Sequence, residues 1–393
     1  MSRVLSLDLF DIESHLTEEE RMARAAVARF VDADVLPVIT EHFRAGTFPD
    51  KLIPTLADLG MLGANLQGYG CAGMSHTGYG ICLLELERGD SGIRSFASVQ
   101  GSLVMYPILT FGSEAQKDRW LPQMAAGKAI GCFGLTEPDY GSDPGGMLTR
   151  AVQQKDGSWV LNGSKRWITN GTICNVAVVW AKTGEGADSI RGFLVERGTP
   201  GFEVKEVTGK WSLRASYTAE LYFDDVKLPA DAILPKSTGL KSALMCLNNA
   251  RAGIAFGALG SAMATFECAR RYSMERKQFG RPIGSFQLVQ EKLVEMYTGI
   301  QAGLLMSLHL MRLKEAGKAT HAHVSMCKRH NVAVARKCAI TARELLGANG
   351  ICDDYPIVRH LLNIESVYTY EGTHDIHTLI LGRELTGQNA FGG

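Results

Sequence analysis

The stretch DGSWVLNGSKRWI, residues 156–168, decides how the chain is read. Apolar and polar residues alternate on both sides of Asn162-Gly163, the dipeptide that tight hairpin turns favour because both central residues take positive φ. The stretch is therefore expected to be two strands turning at Asn162-Gly163. Outward from it the texture persists: NVAVVWAK, RGFLVERG and ELYFDDVKL are short β-type runs separated by Gly, Asn and Asp. Seven or eight strands are predicted over residues 130–236. Upstream, EEERMARAAVARFVDADVLPVI and the segments 52–62, 80–87 and 113–124 carry apolar residues at three- and four-residue spacing, which predicts helices. Downstream, the segments 240–276, 286–316, 321–346 and 357–384 are each long enough for a bundle helix. The expected architecture is α+β and multidomain: an all-α domain (1–129), a barrel-like or sandwich β-domain (130–236) and a four-helix bundle (237–393).

The 41 basic and 41 acidic residues balance, leaving no electrostatic footprint for nucleic acid or an anionic membrane. No uninterrupted apolar run is long enough to span a bilayer. The start, MSRVLSLDLFDIESHLTEEE, lacks the pattern of a secretory or transit peptide, and NAFGG at the end is not a targeting or prenylation signal. Nine scattered cysteines without a CxxC pair suit buried free thiols in a reducing compartment. The expectation is a cytoplasmic protein, or a mitochondrial matrix one in a processed eukaryotic form. His321 with His323, and His374 with His377, lack further ligands at metal spacing, so no metal is expected.

Gly68, Gly70 and Gly73 spell GxGxxG, but that fingerprint works only between a strand and a helix, and no strand precedes it here. GCFGLTEPDYGSDPGG (131–146) is a better ligand segment: an apolar strand start, the Thr136 hydroxyl, and Gly141-Ser142, where backbone N–H groups can approach a ligand. KRWITN sets Trp167 beside Thr169, an aromatic face next to a hydroxyl. Arg94-Ser95, in a stretch that soon turns apolar, is either a clamp for a ligand carboxylate or a structural partner of Glu87 or Asp90. ERKQFGRPIGSFQ (275–287), with Arg276, Gln278, Phe279 and Gln287, reads by itself as an interhelical loop. In YEGTHDI, Thr373 is placed to cap a helix that ends before Gly387, with Ile376, Leu379 and Ile380 on one face. Glu371, on the short linker before that helix, is either a solvated loop acid or a general base with a raised pKa.

Together, GLTEPDYGSD, KRWITN, RKQFG, ELLGANG and YEGTHDI resemble the acyl-CoA dehydrogenase family, most closely its glutaryl-CoA-oxidising branch, in the same order and over nearly the whole chain. The resemblance implies FAD as cofactor. Phe133, Leu135, Thr136, Gly141, Ser142, Trp167, Ile168 and Thr169 would cradle the flavin. Arg276, Gln278, Phe279, Gln287, Glu344, Gly347 and Gly350 would reach the FAD of a neighbouring subunit in a homotetramer, a dimer of dimers. Thr373, with Asp375 beside it, would meet the FAD phosphates at a helix start. Glu371 would take the proton next to a thioester carbonyl while the next carbon passes a hydride to the flavin, with the thioester oxygen held by the Glu371 N–H. Arg251 would tune the base, and Ser142 would also meet the substrate. Residues matching Glu87, Arg94, Ser95 and Tyr370 hold the distal carboxylate of glutaryl-CoA in that branch. Tyr370 further points to decarboxylation, giving crotonyl-CoA and CO2. Electron-transfer flavoprotein is the implied acceptor. The alternative within the family is a short-chain dehydrogenase or oxidase acting on an uncharged acyl chain.

Overall fold

A computed structural model describes residues 7–391. The N-terminal reading over residues 1–6 and the last two glycines of NAFGG lie outside them. Seven helices come first: α1 (Glu18–Phe30), α2 (Leu36–Ala45), α3 (Ile53–Asp58), α4 (His76–Gly89), α5 (Ser91–Ser98), α6 (Tyr106–Phe111) and α7 (Glu114–Ala125). Thr17 opens α1 with a reciprocal cap to Glu20, and Ser113 opens α7 in the same way with Gln116. A π-helical segment, Val99–Met105, joins α5 to α6, so residues 91–111 form one continuous, buried rod. Gly68, Gly70 and Gly73 fall in the loop between α3 and α4, without a preceding strand.

Then come β1 (Gly131–Gly134), β2 (Arg150–Gln153), β3 (Trp159–Thr169), β4 (Val176–Lys182), β5 (Ile190–Glu196), β6 (Phe202–Glu206) and β7 (Thr218–Leu228), all in one seven-stranded sheet. The hairpin expected at Asn162-Gly163 is not there. β3 runs straight through it, and the turn lies earlier: β2 pairs β3 antiparallel, Gln153 opposite Trp159, with the Asp156 carboxylate accepting the Ser158 N–H at 3.0 Å. Asn162-Gly163 instead makes a bulge against β7, where the register shifts between Leu161 and Gly163. A Cβ at Gly163 would stand 2.7 Å from the Thr149 Cα, so glycine admits the close approach of the backbone leading into β2 and does not form a turn.

The last block holds α8 (Gly239–Glu275), a ribbon of β8 (Lys277–Gln278) and β9 (Arg281–Pro282), α9 (Gln287–Glu315), α10 (His321–Leu345), α11 (Ile357–Thr369) and α12 (His374–Thr386). The fourth expected helix, 357–384, is thus two helices, broken at residues 370–373. α8 contains an apolar window long enough to cross a bilayer, but 89% of that window is buried inside the protein. It is the central rod of a bundle whose core (Phe256, Leu259, Phe266, Ile300, Leu304, Val332) continues into α4 through Ile81 and Leu84. A second core joins the sheet to both helical blocks, with Trp180 of β4 edge-on to Phe111 and Phe133. The seam where α4, α5, α8, α10 and the α11–α12 linker meet is therefore lined by packed, buried side chains.

Candidate active site

The linker between α11 and α12, residues 370–373, departs from helical geometry. Tyr370 is extended (φ −83°, ψ 167°), and Glu371 and Gly372 take positive φ, 50° and 91°. α12 then restarts under the Thr373 cap, whose hydroxyl accepts the Ile376 N–H at 3.1 Å, and stops at Gly387, as the sequence predicts. Its apolar face is less enclosed than the periodicity implies, because Ile376, Leu379 and Ile380 are only half-buried and His377 is the buried position.

A left-handed residue other than glycine costs about 1–2 kcal/mol. Here buried cations offset it. Arg251 Nε donates to the Glu371 carbonyl at 2.6 Å, while Lys328 Nζ donates to the carbonyls of Tyr370 and of Gly372, the latter at 2.7 Å. Bonds to charged groups contribute about 1.5–3 kcal/mol each, so three of them outweigh the strain. With these carbonyls taken by α8 and α10, the Glu371 N–H makes no hydrogen bond to any described residue. The Glu371 Oε2 is buried without a partner. Burial raises the pKa of that carboxyl, against the opposing pull of the Lys328, Arg251 and Arg94 charges. His377, whose Nδ1 lies 3.0 Å from Ser325 Oγ, is pushed down to about 2 by burial first and by the Lys328 and Arg251 charges second, so it stays neutral.

Across the seam stands Arg94, 1% exposed. Its Nε donates to Glu87 Oε2 at 2.6 Å and its Nη2 to the Tyr370 hydroxyl. Glu87 also accepts from Ser91 Oγ at 2.5 Å. Glu87 sits on the last turn of α4 and Arg94 on the first turn of α5. The kink between them is fixed by Asp90, which accepts the Gly92 N–H at 2.7 Å and is held by Arg359 and Asn363 of α11 at 2.7 and 2.8 Å. Of the two structural partners weighed for Arg94, Glu87 is the real one and Asp90 is spoken for elsewhere. Burial works against the Arg94 charge, but Tyr370 and Glu87 beside it hold its pKa above the ordinary value. Tyr370 is pushed up to about 12, by burial first, and stays a neutral phenol. Arg94 Nη1 makes no hydrogen bond to a described residue, and Ser95 is buried next to it in sequence.

A second surface lies on the sheet. Trp167 has φ 64° at a register break of β3 and is 55% exposed, its ring 5.1 Å from the Arg166 guanidinium. Arg166 N–H donates to the Thr136 carbonyl at 2.9 Å, which brings Thr136 alongside the Trp167–Thr169 segment, and both threonines are half-buried. Phe133, Leu135 and Ile168 point into the cores, so their backbones and not their side chains face this surface. Gly141 and Ser142 lie in an exposed loop. An exposed indole beside two hydroxyls and a run of strand-end backbone fits a flat, polar heteroaromatic ring.

The remaining candidates stand apart from both surfaces. Arg276, Gln278, Phe279 and Gln287 are exposed around the β8–β9 ribbon, Phe279 at 93% and φ 50°. Glu344 pairs with Lys292 at 2.6 Å on the bundle exterior; Gly347 is exposed and Gly350 buried. No hydrogen bond, ion pair or ring contact joins these to the Trp167 surface among the described residues. Asp375 is exposed in the first turn of α12, where its charge competes with an incoming anion.

Two functional features escaped the sequence reading. Lys328 lies more than forty residues from the carbonyls it holds, on an ordinary amphipathic helix. Lys165 pairs with Glu137 at 2.8 Å and reaches the Leu135 carbonyl at 3.1 Å, bracing the strand end that carries Thr136.

Comparison with known proteins agrees with this architecture. Family models for the acyl-CoA dehydrogenase N-terminal, middle and C-terminal domains match residues 17–128, 132–226 and 237–386. A solved glutaryl-CoA dehydrogenase from Mycobacterium smegmatis is 53% identical, with a TM-score of 0.96, covering 98% of this chain and 99% of that one. Another structure of a glutaryl-CoA dehydrogenase from that organism, in complex with FADH2, is 49% identical with the same TM-score and coverage. Butyryl-CoA dehydrogenase from Megasphaera elsdenii is 34% identical, with a TM-score of 0.90, over 94% of this chain and 98% of that one.

Proposed function

The chain belongs to the acyl-CoA dehydrogenase family, and on that footing we propose that it oxidises and decarboxylates glutaryl-CoA to crotonyl-CoA and CO2. FAD, when bound, supplies the hydride acceptor. Thr136, Trp167 and Thr169, with the backbone of Phe133, Leu135, Gly141, Ser142 and Ile168, are its in-chain seat. The exposed Arg276, Gln278, Phe279 and Gln287, and the Glu344–Gly350 segment, serve the cofactor of a neighbouring subunit in a homotetramer, with Thr373 at the phosphates and Asp375 beside it in the same turn, turned to solvent and not a phosphate ligand.

Glu371 is the base. One oxygen of its carboxyl, Oε2, is buried without a hydrogen-bond partner, and burial raises the pKa of the group, the direction that general-base catalysis requires. It must be ionised to act, so the rate falls as pH drops through that raised pKa. The free Glu371 N–H is available to the thioester oxygen as negative charge develops there, an interaction on the scale of about 3 kcal/mol. Lys328 holds the Tyr370 carbonyl, which shares a trans peptide plane with the Glu371 N–H and so keeps that N–H turned the other way, while Arg251 holds the Glu371 carbonyl.

The observation that carries the substrate assignment is Arg94, buried and bonded to Tyr370, the residue before the base, with one nitrogen uncommitted after Glu87 and Tyr370 are served. A buried guanidinium with spare donors calls for a second anion. The distal carboxylate of a five-carbon diacid thioester meets that need, with Ser95 and the Tyr370 O–H as further donors. After oxidation that carboxylate lies on the carbon conjugated to the new double bond. The C–C bond breaks, CO2 leaves, the electron pair passes into the thioester enolate, and the proton held by Glu371 returns to carbon. Electron-transfer flavoprotein is the proposed acceptor, and the cytoplasm the proposed compartment.

Glu87 favours the second reading, a short-chain enzyme for uncharged acyl groups, because it already neutralises Arg94. Incubation with glutaryl-CoA and an artificial acceptor decides between them: crotonyl-CoA with stoichiometric CO2 is expected. Glutaconyl-CoA alone would remove the decarboxylation, and no product would remove the glutaryl assignment.

A further inference from the structure

We propose that Lys328 is a positioning residue for the reaction: it holds the Glu371 turn from both sides and sets the electrostatic environment in which Glu371 ionises. The inference rests on Glu371 being the base.

The geometry is specific. Lys328 leaves the middle of α10, is 2% exposed, and spends its donors on the carbonyls of Tyr370 and Gly372, the two residues flanking Glu371. Its ammonium also stands 5.8 Å from the centre of the Tyr370 ring, so it touches the proposed carboxylate-binding wall as well as the base loop. It makes no hydrogen bond to a carboxylate among the described residues, and a charge with no ion-pair partner is rarely left buried for stability alone. Arg251 takes the carbonyl in between, so two cations from two helices hold three consecutive carbonyls.

The groups facing Lys328 come from every element around it. Glu371 on the linker raises its pKa. Burial first, then Arg251 of α8 and Arg94 of α5, lowers it, and the net direction is down. His377 of α12 is neutral and contributes no charge. Glu371 is the one anion among these groups, so each of the two charges steadies the other through space. Removing the ammonium therefore makes Glu371 harder to ionise and also lets its turn relax. A residue that only filled space would do neither.

The test reads proton transfer alone. In 3-thiaglutaryl-CoA, sulfur replaces the hydride-donating carbon, so exchange of the α-hydrogens with deuterium oxide, followed by NMR across pH, isolates the action of Glu371. Wild type, Lys328→Gln and Lys328→Met are compared as FAD-loaded enzymes. For Lys328→Met we expect exchange at neutral pH to fall about 30-fold or more, analogue affinity to change less than about threefold, and the rising limb of the profile to move to higher pH. Lys328→Gln, which keeps hydrogen-bond donors without the charge, should lose less rate but show the same displacement. If Lys328→Met fails to fold, the displacement in Lys328→Gln decides. Unshifted profiles in the variants that fold would overturn the proposal, whether rates were preserved or lost together with affinity. Running 3-thiabutyryl-CoA alongside separates the readings: exchange of that analogue alone would remove the glutaryl assignment and leave the Lys328 test intact. No exchange of either by wild type would remove the base and this role together.

Discussion

The two faces of the site are built on opposite principles. Around Glu371 and Arg94 one chain completes everything: carbonyls are held by Arg251 and Lys328, Arg94 by Glu87 and Tyr370, and the α4–α5 kink by Asp90, Arg359 and Asn363. Around Trp167 and Phe279 the chain leaves large aromatic side chains uncovered. Acid–base chemistry depends on buried, mutually oriented charges, which only a folded core provides. A large cofactor needs surface that the folded chain leaves open. Mutations should therefore act through chemistry and folding on the first face, and through cofactor retention on the second.

The largest effect expected on the closed face is at the base. Glu371→Gln should keep FAD yet slow flavin reduction by acyl-CoA about 10³–10⁴-fold in anaerobic stopped flow; reduction within tenfold of wild type would place the base elsewhere. Next, Arg94→Met leaves Glu87 buried without its partner and should destabilise the protein by about 3–5 kcal/mol in urea unfolding. Adding Glu87→Gln should restore most of that loss, and failure to do so would mean that the pair is not the source. A smaller cost is expected from Gly372→Ala. A Cβ there would stand 3.0 Å from His377 Nε2 and 3.3 Å from Arg251 Nη2 at φ 91°, so about 1–3 kcal/mol of stability should go, with slower turnover. The smallest stability change should come from the open face. Trp167→Ala or Phe279→Ala should shift unfolding of the FAD-free protein by less than about 0.5 kcal/mol while FAD is retained less well through gel filtration. A large stability loss would show that these side chains are structural.

The same contrast governs what the sequence reveals. Repetitive structure was legible because it repeats: the helical spacing before residue 128 and after 239, and the β-type runs between, place the blocks where the structure has them. Errors came where one local signal has two uses. Asn162-Gly163 satisfies a turn and a bulge equally, and the choice is made by Thr149, just before the neighbouring strand, packing against Gly163, a contact invisible in the local pattern. The break at residues 370–373 was legible from the Thr373 cap and the short linker before it, although 357–384 also read as one helix, whereas the lysine of α10 that holds the linker's carbonyls was not. The Arg94–Glu87 pair was legible as one of two partners, since both lie close in sequence. Lys328 was not, because a lysine on an amphipathic helix ordinarily reads as solvated.

The central claim is that Arg94 stands ready for a second carboxylate within reach of the Glu371 base. The most direct test is single-turnover flavin reduction by glutaryl-CoA and by butyryl-CoA, in wild type and in the Glu87→Gln/Arg94→Met double variant, which removes both charges and avoids leaving one unpaired. The account predicts that wild type prefers glutaryl-CoA by at least about 10²-fold in kcat/KM and that the double variant loses this preference while still turning over butyryl-CoA. A wild-type preference for butyryl-CoA, unchanged in the double variant, would contradict it.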